Sequence, residues 1–325
     1  MTLPIKPPYR PSTMTYKYHT TDVFTDTPFG GNQLAVVVDA RGLTTEQMAS
    51  IAREFNFSET IFVTPPEDPG HTKRVRIFTP GSELPFAGHP TVGVAFVLAA
   101  TGEIELTGDE TRIILEEGVG PVPVVIRSEN GRPVFTQLTT AKLPEKGTET
   151  HAAGAIAKIL SLDTEDIDEN AIYKIEAWST GLPYLFVPIC SLAALARARV
   201  KIDLWEKNLR DSWASEIFLF VETEESAARD GVAEGDAVLR ARTFCPGLGV
   251  SEDPATGSAC AALGGYLAAR SSKRDGLLKC TVHQGVEMGR PSRMDLEVDL
   301  AGGEVTAVRV GGASVLVSSG TLHVP

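Results

Sequence analysis

Apolar positions along this chain switch repeatedly between a period of two and a period near 3.6. That is the mark of a strand-rich protein with a few helices set between the strands. In the first half, short runs rich in β-branched and aromatic residues predict strands at 17–24, 34–39, 60–64, 74–78, 112–115, 122–127 and 134–138. In the second half the same signal predicts strands at 216–221, 238–244, 278–284, 294–299, 305–310 and 313–317, with helices at 152–160 and 192–198. Thr44 and Gln47 form a capping-box pattern, and Met48, Ile51, Ala52 and Phe55 follow at helical spacing. Two further segments, 90–100 and 257–267, are helical in length but apolar on every face. Such helices are buried. The first is entered through Pro90 at its first position and stopped at Gly102.

The pattern also repeats itself. Arg-Ile-Phe-Thr-Pro-Gly at 76–81 returns as Arg-Thr-Phe-Cys-Pro-Gly at 242–247, and each block leads through a polar loop into one of the apolar helices. Ser58-Glu59-Thr60-Ile61-Phe62-Val63 is echoed at 215–221, and the stretch 31–37 at 181–187. Three landmarks in the same order indicate a duplicated domain, since solenoid repeats are only about 20–50 residues long. The predicted fold is α+β, with two homologous domains. Each is a curled, mostly antiparallel, barrel-like sheet around a central helix. A disordered Pro-rich leader is expected over 1–14, a first domain over 15–140, a polar linker over 141–150 and a second domain over 151–325, whose last strand can pack on the first domain. Twin domains create a cleft, and small-molecule sites favour such places.

Composition narrows the function. A net charge of −12 over 325 residues argues against a nucleic-acid or anionic-membrane surface. No apolar run is long enough to span a bilayer, and the first residues lack the apolar core of a signal peptide, so the protein reads as cytoplasmic. Cys190, Cys245, Cys260 and Cys280 form no CxxC pair and read as reduced, packed thiols. There is no P-loop, no GxGxxG and no metal-ligand spacing, so nucleotide, dinucleotide and metal chemistries are poorly supported.

The candidate chemistry sits where the loops enter the apolar helices, at 83–91 and 251–259. A helix start presents unpaired N–H groups and partial positive charge. Gly88 and Gly257 would let a ligand approach the backbone, and two such starts facing one cleft would bind a carboxylate, with Ser258 and Ala259 beside it. The competing reading is ordinary capping by Thr256 or Ser258. Glu59, at the head of an apolar strand, would have a raised pKa and could carry a proton; alternatively it is a solvated strand end. Glu216 is its echo. His89 could relay a proton or bond backbone, and Asp253 could orient a substrate or make an Asx-turn before Pro254. Arg290, in a late polar cluster with His283 and Gln284, could clamp an anion or pair with an acid. A Ser258–His89–Asp253 triad can be written, which keeps a hydrolase or lyase open, but Ser258 is not in a GxSxG elbow. A non-catalytic binding protein is the third class.

The motifs Gly30-Gly31-Asn32-Gln33-Leu34-Ala35-Val36, Ser58-Glu59-Thr60-Ile61-Phe62-Val63, Phe86-Ala87-Gly88-His89-Pro90-Thr91 and Glu252-Asp253-Pro254-Ala255-Thr256-Gly257-Ser258-Ala259 together resemble the PhzF family of phenazine-biosynthesis-like isomerases. The resemblance covers about residues 16–320. It implies the diaminopimelate-epimerase fold, a homodimer, no cofactor and proton transfer within a small carboxylate. By the same resemblance Glu59 is the acid/base, with His89, Asp253 and Ser258 in the site. Related racemases place a cysteine at each helix entrance; the first entrance here has none, so a two-thiol mechanism is not expected.

Overall fold

The computed structural model describes residues 14–169, 172–223 and 236–325. The first half runs β1 (Met14–Val23), β2 (Asn32–Val37), α1 (Thr45–Phe55), β3 (Glu59–Thr64), β4 (Lys73–Phe78), β5 (Glu83–Leu84), α2 (Gly88–Ala100), β6 (Glu110–Glu117), β7 (Gly120–Glu129) and β8 (Arg132–Thr139). Then come β9 (Glu145–Lys146), α3 (Ala153–Ile159), β10 (Glu176–Ser179), β11 (Pro183–Pro188), α4 (Leu192–Arg197), α5 (Ile202–Asn208) and β12 (Glu216–Glu222). The chain continues with β13 (Asp236–Cys245), β14 (Val250–Asp253), α6 (Gly257–Ala268), β15 (Gly276–Gln284), β16 (Ser292–Ala301), β17 (Glu304–Gly312) and β18 (Ser314–Val324).

The duplication read from the sequence is present in the ladders. In the first half β1 and β2 are antiparallel, β2 and β3 parallel, β3 and β4 antiparallel, β4 and β6 parallel, and β6, β7 and β8 antiparallel. In the second half β10 to β13 and β15 to β17 repeat that series of directions. Even the register repeats: Leu34 lies opposite Glu59, and Tyr184 opposite Glu216. Each half is a curled sheet around its own helix, α2 or α6. Neither curl closes on itself, because β8 pairs with β17 of the other half. The strand after each half's last hairpin also crosses over, β9 to β10 and β18 to β1.

Both central helices are buried on every side, and they share one continuous core that includes Val92, Val94, Phe96 and Leu98 of α2 and Cys260, Leu263 and Tyr266 of α6. At about 1.5–3 kcal/mol per buried large apolar side chain, this core is the main source of stability. The outer faces are covered separately. Met48, Ile51 and Ala52 of α1 pack on Val37, Phe62 and Phe78, while Ile156, Leu195 and Trp205 pack on Leu185, Ile217 and Leu219. The capping box of α1 forms as expected, with Thr44 and Gln47 exchanging hydrogen bonds of 3.2 and 2.9 Å.

Some boundaries differ from the sequence pattern. Helix α2 begins at Gly88, so Pro90 is its third residue; its missing N–H still falls in the first turn, where no helical bond is lost. Strand β18 continues to Val324, well past 317, because Ser318, Ser319 and Thr321 are too polar to show alternation and only the ladder with β1 defines them. The stretch expected as a linker contains β9. Helix α5 has no side-chain cap to announce it, and β10 is only four residues long. The expected leader lies outside the described residues except Met14, which opens β1.

Gly93 shows how tightly α2 is held. A Cβ there would lie 2.6 Å from both Leu34 Cδ2 and Val23 Cγ2, and both neighbours are fully buried. Gly93→Ala should therefore destabilise the protein by about 1–3 kcal/mol, measured by urea denaturation; an unchanged midpoint would show that this packing can yield.

Candidate active site

The two central helices begin against each other. A Cβ on Gly88 would lie 3.0 Å from Gly257 C and Ser258 N, and one on Gly257 would lie 3.3 Å from the Gly88 backbone and His89 N. The two backbones approach so closely that a side chain at either place would push the facing helix start back by a few tenths of an ångström. Neither helix has a side-chain cap: α2 is preceded by Ala87, and at α6 the Thr256 hydroxyl instead donates to Asp253 Oδ2 at 2.6 Å. Ser258 Oγ is 2.7 Å from the Tyr184 hydroxyl. Ordinary capping is thus ruled out, and both helix starts keep open N–H groups with their share of dipole charge, about half a unit each.

Beside them is a cavity of about 300 Å³. Gly88, His89, Gly257 and Ser258 line it, as do Glu59 and Asp253, with Leu84, Phe86, Leu182 and Leu248 among the apolar residues around them. The structure therefore gathers six of the seven expected site residues. Ala259 is the exception. Its side chain turns into the core, fully buried, because the helix has rotated it away from the cavity by that point.

Glu59 stands at the head of β3 with its side chain 16% exposed. Its Oε2 has no hydrogen-bond partner and lies 3.5 Å from His89 Nε2, just beyond hydrogen-bond range. Burial, with a smaller contribution from the negative charge of Asp253, pushes its pKa up to about 8. Burial pushes His89 down to about 3, against a hydrogen bond to the backbone of Gln33. At neutral pH the pair is thus a protonated acid facing a neutral imidazole. Asp253 is raised to about 6 by burial and held lower than burial alone would put it by hydrogen bonds from Thr256 and Asn32, so near pH 7 it is mostly ionised.

Two residues with no role assigned from the sequence complete the arrangement. Asn32 Nδ2 contacts Asp253 Oδ1 at 2.9 Å, the Ala255 carbonyl at 3.0 Å and His89 Nδ1 at 3.3 Å. Gln284 Nε2 donates to the Asp253 carbonyl at 2.6 Å and to Thr256 Oγ1 at 2.9 Å. Asn32 lies in the 30–36 motif and Gln284 in the late polar cluster, but only tertiary contact reveals their partners. Other candidates fall elsewhere. Arg290 clamps no ligand; it donates to the carbonyls of Gly30 and Gly31 and to Asp22. Glu216 is buried off the cavity, accepting from Ser215 Oγ and the Gly247 N–H. No Ser258–His89–Asp253 relay forms, since Ser258 bonds Tyr184, and both His89 and Asp253 bond Asn32. Cys260 is packed in the core. Among the described residues no three His, Cys, Asp or Glu side chains converge as a metal site would require, and no helix is long and apolar enough to cross a membrane.

Known proteins are similar to this chain in both fold and sequence. The family model for PhzC-PhzF, phenazine biosynthesis-like proteins, matches residues 21–320. The chain belongs to the PhzF family. It is 40% identical to an uncharacterized isomerase of Mesorhizobium japonicum, over 95% of this chain and 99% of that one. It is 33% identical to the trans-2,3-dihydro-3-hydroxyanthranilate isomerase of Pseudomonas aeruginosa, over 95% and 99% of the two chains. Among solved structures, the Bacillus anthracis PhzF-family phenazine biosynthesis protein superposes with a TM-score of 0.80 at 26% identity, covering 95% of this chain and 99% of that one. The PhzF-family chain described here is accordingly an isomerase.

The raised pKa of Glu59 has a consequence for stability. The folded state holds this proton up to about pH 8, whereas an unfolded carboxyl releases it near 4.5, so the stabilising effect is complete below pH 4.5 and is lost as pH rises towards 8. Glu59→Gln keeps the shape without the titration. Its stability relative to wild type should grow between pH 5 and 8, by on the order of 1 kcal/mol per unit, and level off above. Urea melts of both proteins across that range check this; a constant difference would mean that Glu59 titrates normally.

Proposed function

We propose that this PhzF-family isomerase moves a proton between carbons of one small carboxylate substrate without a cofactor, using Glu59 as the acid/base. The observation that carries the reading is a buried, unpartnered carboxyl group that shares a small, largely apolar cavity with two uncapped helix starts. The helix starts at Gly88 and Gly257, with the Ser258 hydroxyl, bind the substrate carboxylate. Ionised Glu59 removes a proton from carbon: the C–H bond breaks, an O–H bond forms on Glu59, and the electron pair delocalises into the substrate. The same O–H then returns its proton to another carbon. Neutral His89, 3.5 Å away, faces the Glu59 carboxyl and lines the polar side of the site. Asp253 accepts a hydrogen bond from a substrate hydroxyl or amine. The dihydro-hydroxyanthranilate that names the P. aeruginosa relative is a compact acid of the size such a cavity admits. A homodimer and a cytoplasmic location belong to the same proposal.

The probe is trans-2,3-dihydro-3-hydroxyanthranilate, together with a panel of small carboxylates, incubated in deuterated water and followed by NMR. The wild type should place deuterium on a substrate carbon. Glu59→Gln should lower that rate by at least about 10²–10⁴-fold while calorimetric binding stays within a few-fold. Undiminished exchange in the variant would remove Glu59 from the mechanism. Because abstraction needs the carboxylate form, kcat/KM should also rise with pH and level off near 8.

A further inference from the structure

Asn32 is 1% exposed and heads β2, directly after Gly31, whose φ of +62° and crowded Cβ position admit only glycine. The second half holds this turn in place. Arg290 donates to the carbonyls of Gly30 and Gly31, and the Gly31 N–H donates to the Pro291 carbonyl at 3.0 Å. From that fixed position the Asn32 amide nitrogen reaches across to Asp253 Oδ1 and the Ala255 carbonyl. It has two hydrogens, and these are its two shorter contacts. The other Asp253 oxygen accepts from Thr256 Oγ1. Both oxygens of Asp253 are therefore occupied by donors, which favour its ionised form against the burial that opposes it.

The geometry points to Asn32 as a positioning residue that holds Asp253 charged across the seam between the halves and thereby adds to the basicity that burial gives Glu59. This deepens the proposed function and rests on it. The charged and titratable groups around Glu59 are few. His89 faces it from α2 and is neutral; Asp253 faces it from β14; Cys245 of β13 and Tyr184 of β11 line the same cavity, with burial keeping both protonated. Lys142 also lines the cavity but is exposed. Glu252, next to Asp253, is compensated by Arg242 at 2.7 Å. Asp253 is thus the nearby anion acting on Glu59, and Asn32 and Thr256 are the side chains that keep it so. Asn32 does not touch substrate in this scheme.

The test reads Glu59 itself rather than turnover. Carbon-13 NMR of glutamate carboxyl groups, with the Glu59 signal assigned by its absence in Glu59→Gln, gives the titration directly. Asn32→Leu and Thr256→Val each remove one donor to Asp253. Both should move the Glu59 midpoint measurably to lower pH, while burial keeps it above the ordinary carboxylate range. Asn32→Asp, whose protonated carboxyl can still donate to Asp253, should keep more of the wild-type value than Asn32→Leu. An unmoved midpoint in both Thr256→Val and Asn32→Leu overturns the inference. So does a shift in Asn32→Leu alone, since that would place the effect on His89. Thr256→Val covers the case in which Asn32→Leu fails to fold. None of these outcomes depends on deuterium exchange, which alone decides whether Glu59 is the acid/base.

Discussion

Two helix starts touching through bare backbone are the constraint on which this molecule is organised. At Gly88 and Gly257 a Cβ would meet the facing backbone at 3.0 and 3.3 Å, tighter than an ordinary contact. Two positive helix ends brought this close repel weakly, and neither is neutralised by a side-chain cap. An anion beside them would relieve that cost, which is why the proposed function places the substrate carboxylate there. Burial of α2 and α6 on all faces makes the arrangement stable, because neither helix can withdraw without exposing the core it shares with the other. The crossing strands β9 and β18 tie the halves together at their edges and keep the helix ends in register.

Duplication supplies the frame, and departures from duplication supply the chemistry. The ladders make Glu59 and Glu216 equivalent, yet Glu59 lines the cavity, and Glu216 is tied to Ser215 and Gly247. Opposite them stand Leu34 in one half and Tyr184 in the other. Leu84 lies opposite Ile77, whereas Asp253 lies opposite Thr243, the matching position. His89 and Ser258 each follow the contacting glycine of their helix. A symmetric cleft would hold two carboxylates of equal standing. This one holds a single unpartnered acid with an imidazole beside it on one side, and an anchored anion with two hydroxyls on the other.

What the sequence made legible follows from where information is local. Capping at Thr44, the all-round apolarity of 257–267 and the paired Pro-Gly blocks each depend on neighbouring residues, and each led to the right element. Helix α5 and the far end of β18 depend on contacts distant in sequence, so their composition did not announce them. In the site, Glu59, His89 and Asp253 could be named from motifs. Asn32 and Gln284 could not be given roles, because an amide has no chemistry of its own until its partners are known. For Arg290 the sequence left two readings open, an anion clamp or an ion pair; the structure shows the pair, with Asp22, and adds that the same guanidinium braces the turn before Asn32.

A perturbed carboxyl group does not by itself mark a reactive one. Glu117 is buried and raised to about 8, as Glu59 is, and one of its oxygens also lacks a partner. Yet Glu117 is absent from the cavity lining, and its other oxygen accepts from Thr91 at 2.7 Å, inside the α2 packing. Burial explains both shifts, so the shift cannot distinguish them. Position does: Glu59 has a cavity in front of it, a neutral imidazole beside it and an anion fixed nearby. The same elevated pKa that leaves Glu117 a protonated wedge in the packing would, under the proposed function, let Glu59 take a proton from carbon and give it back.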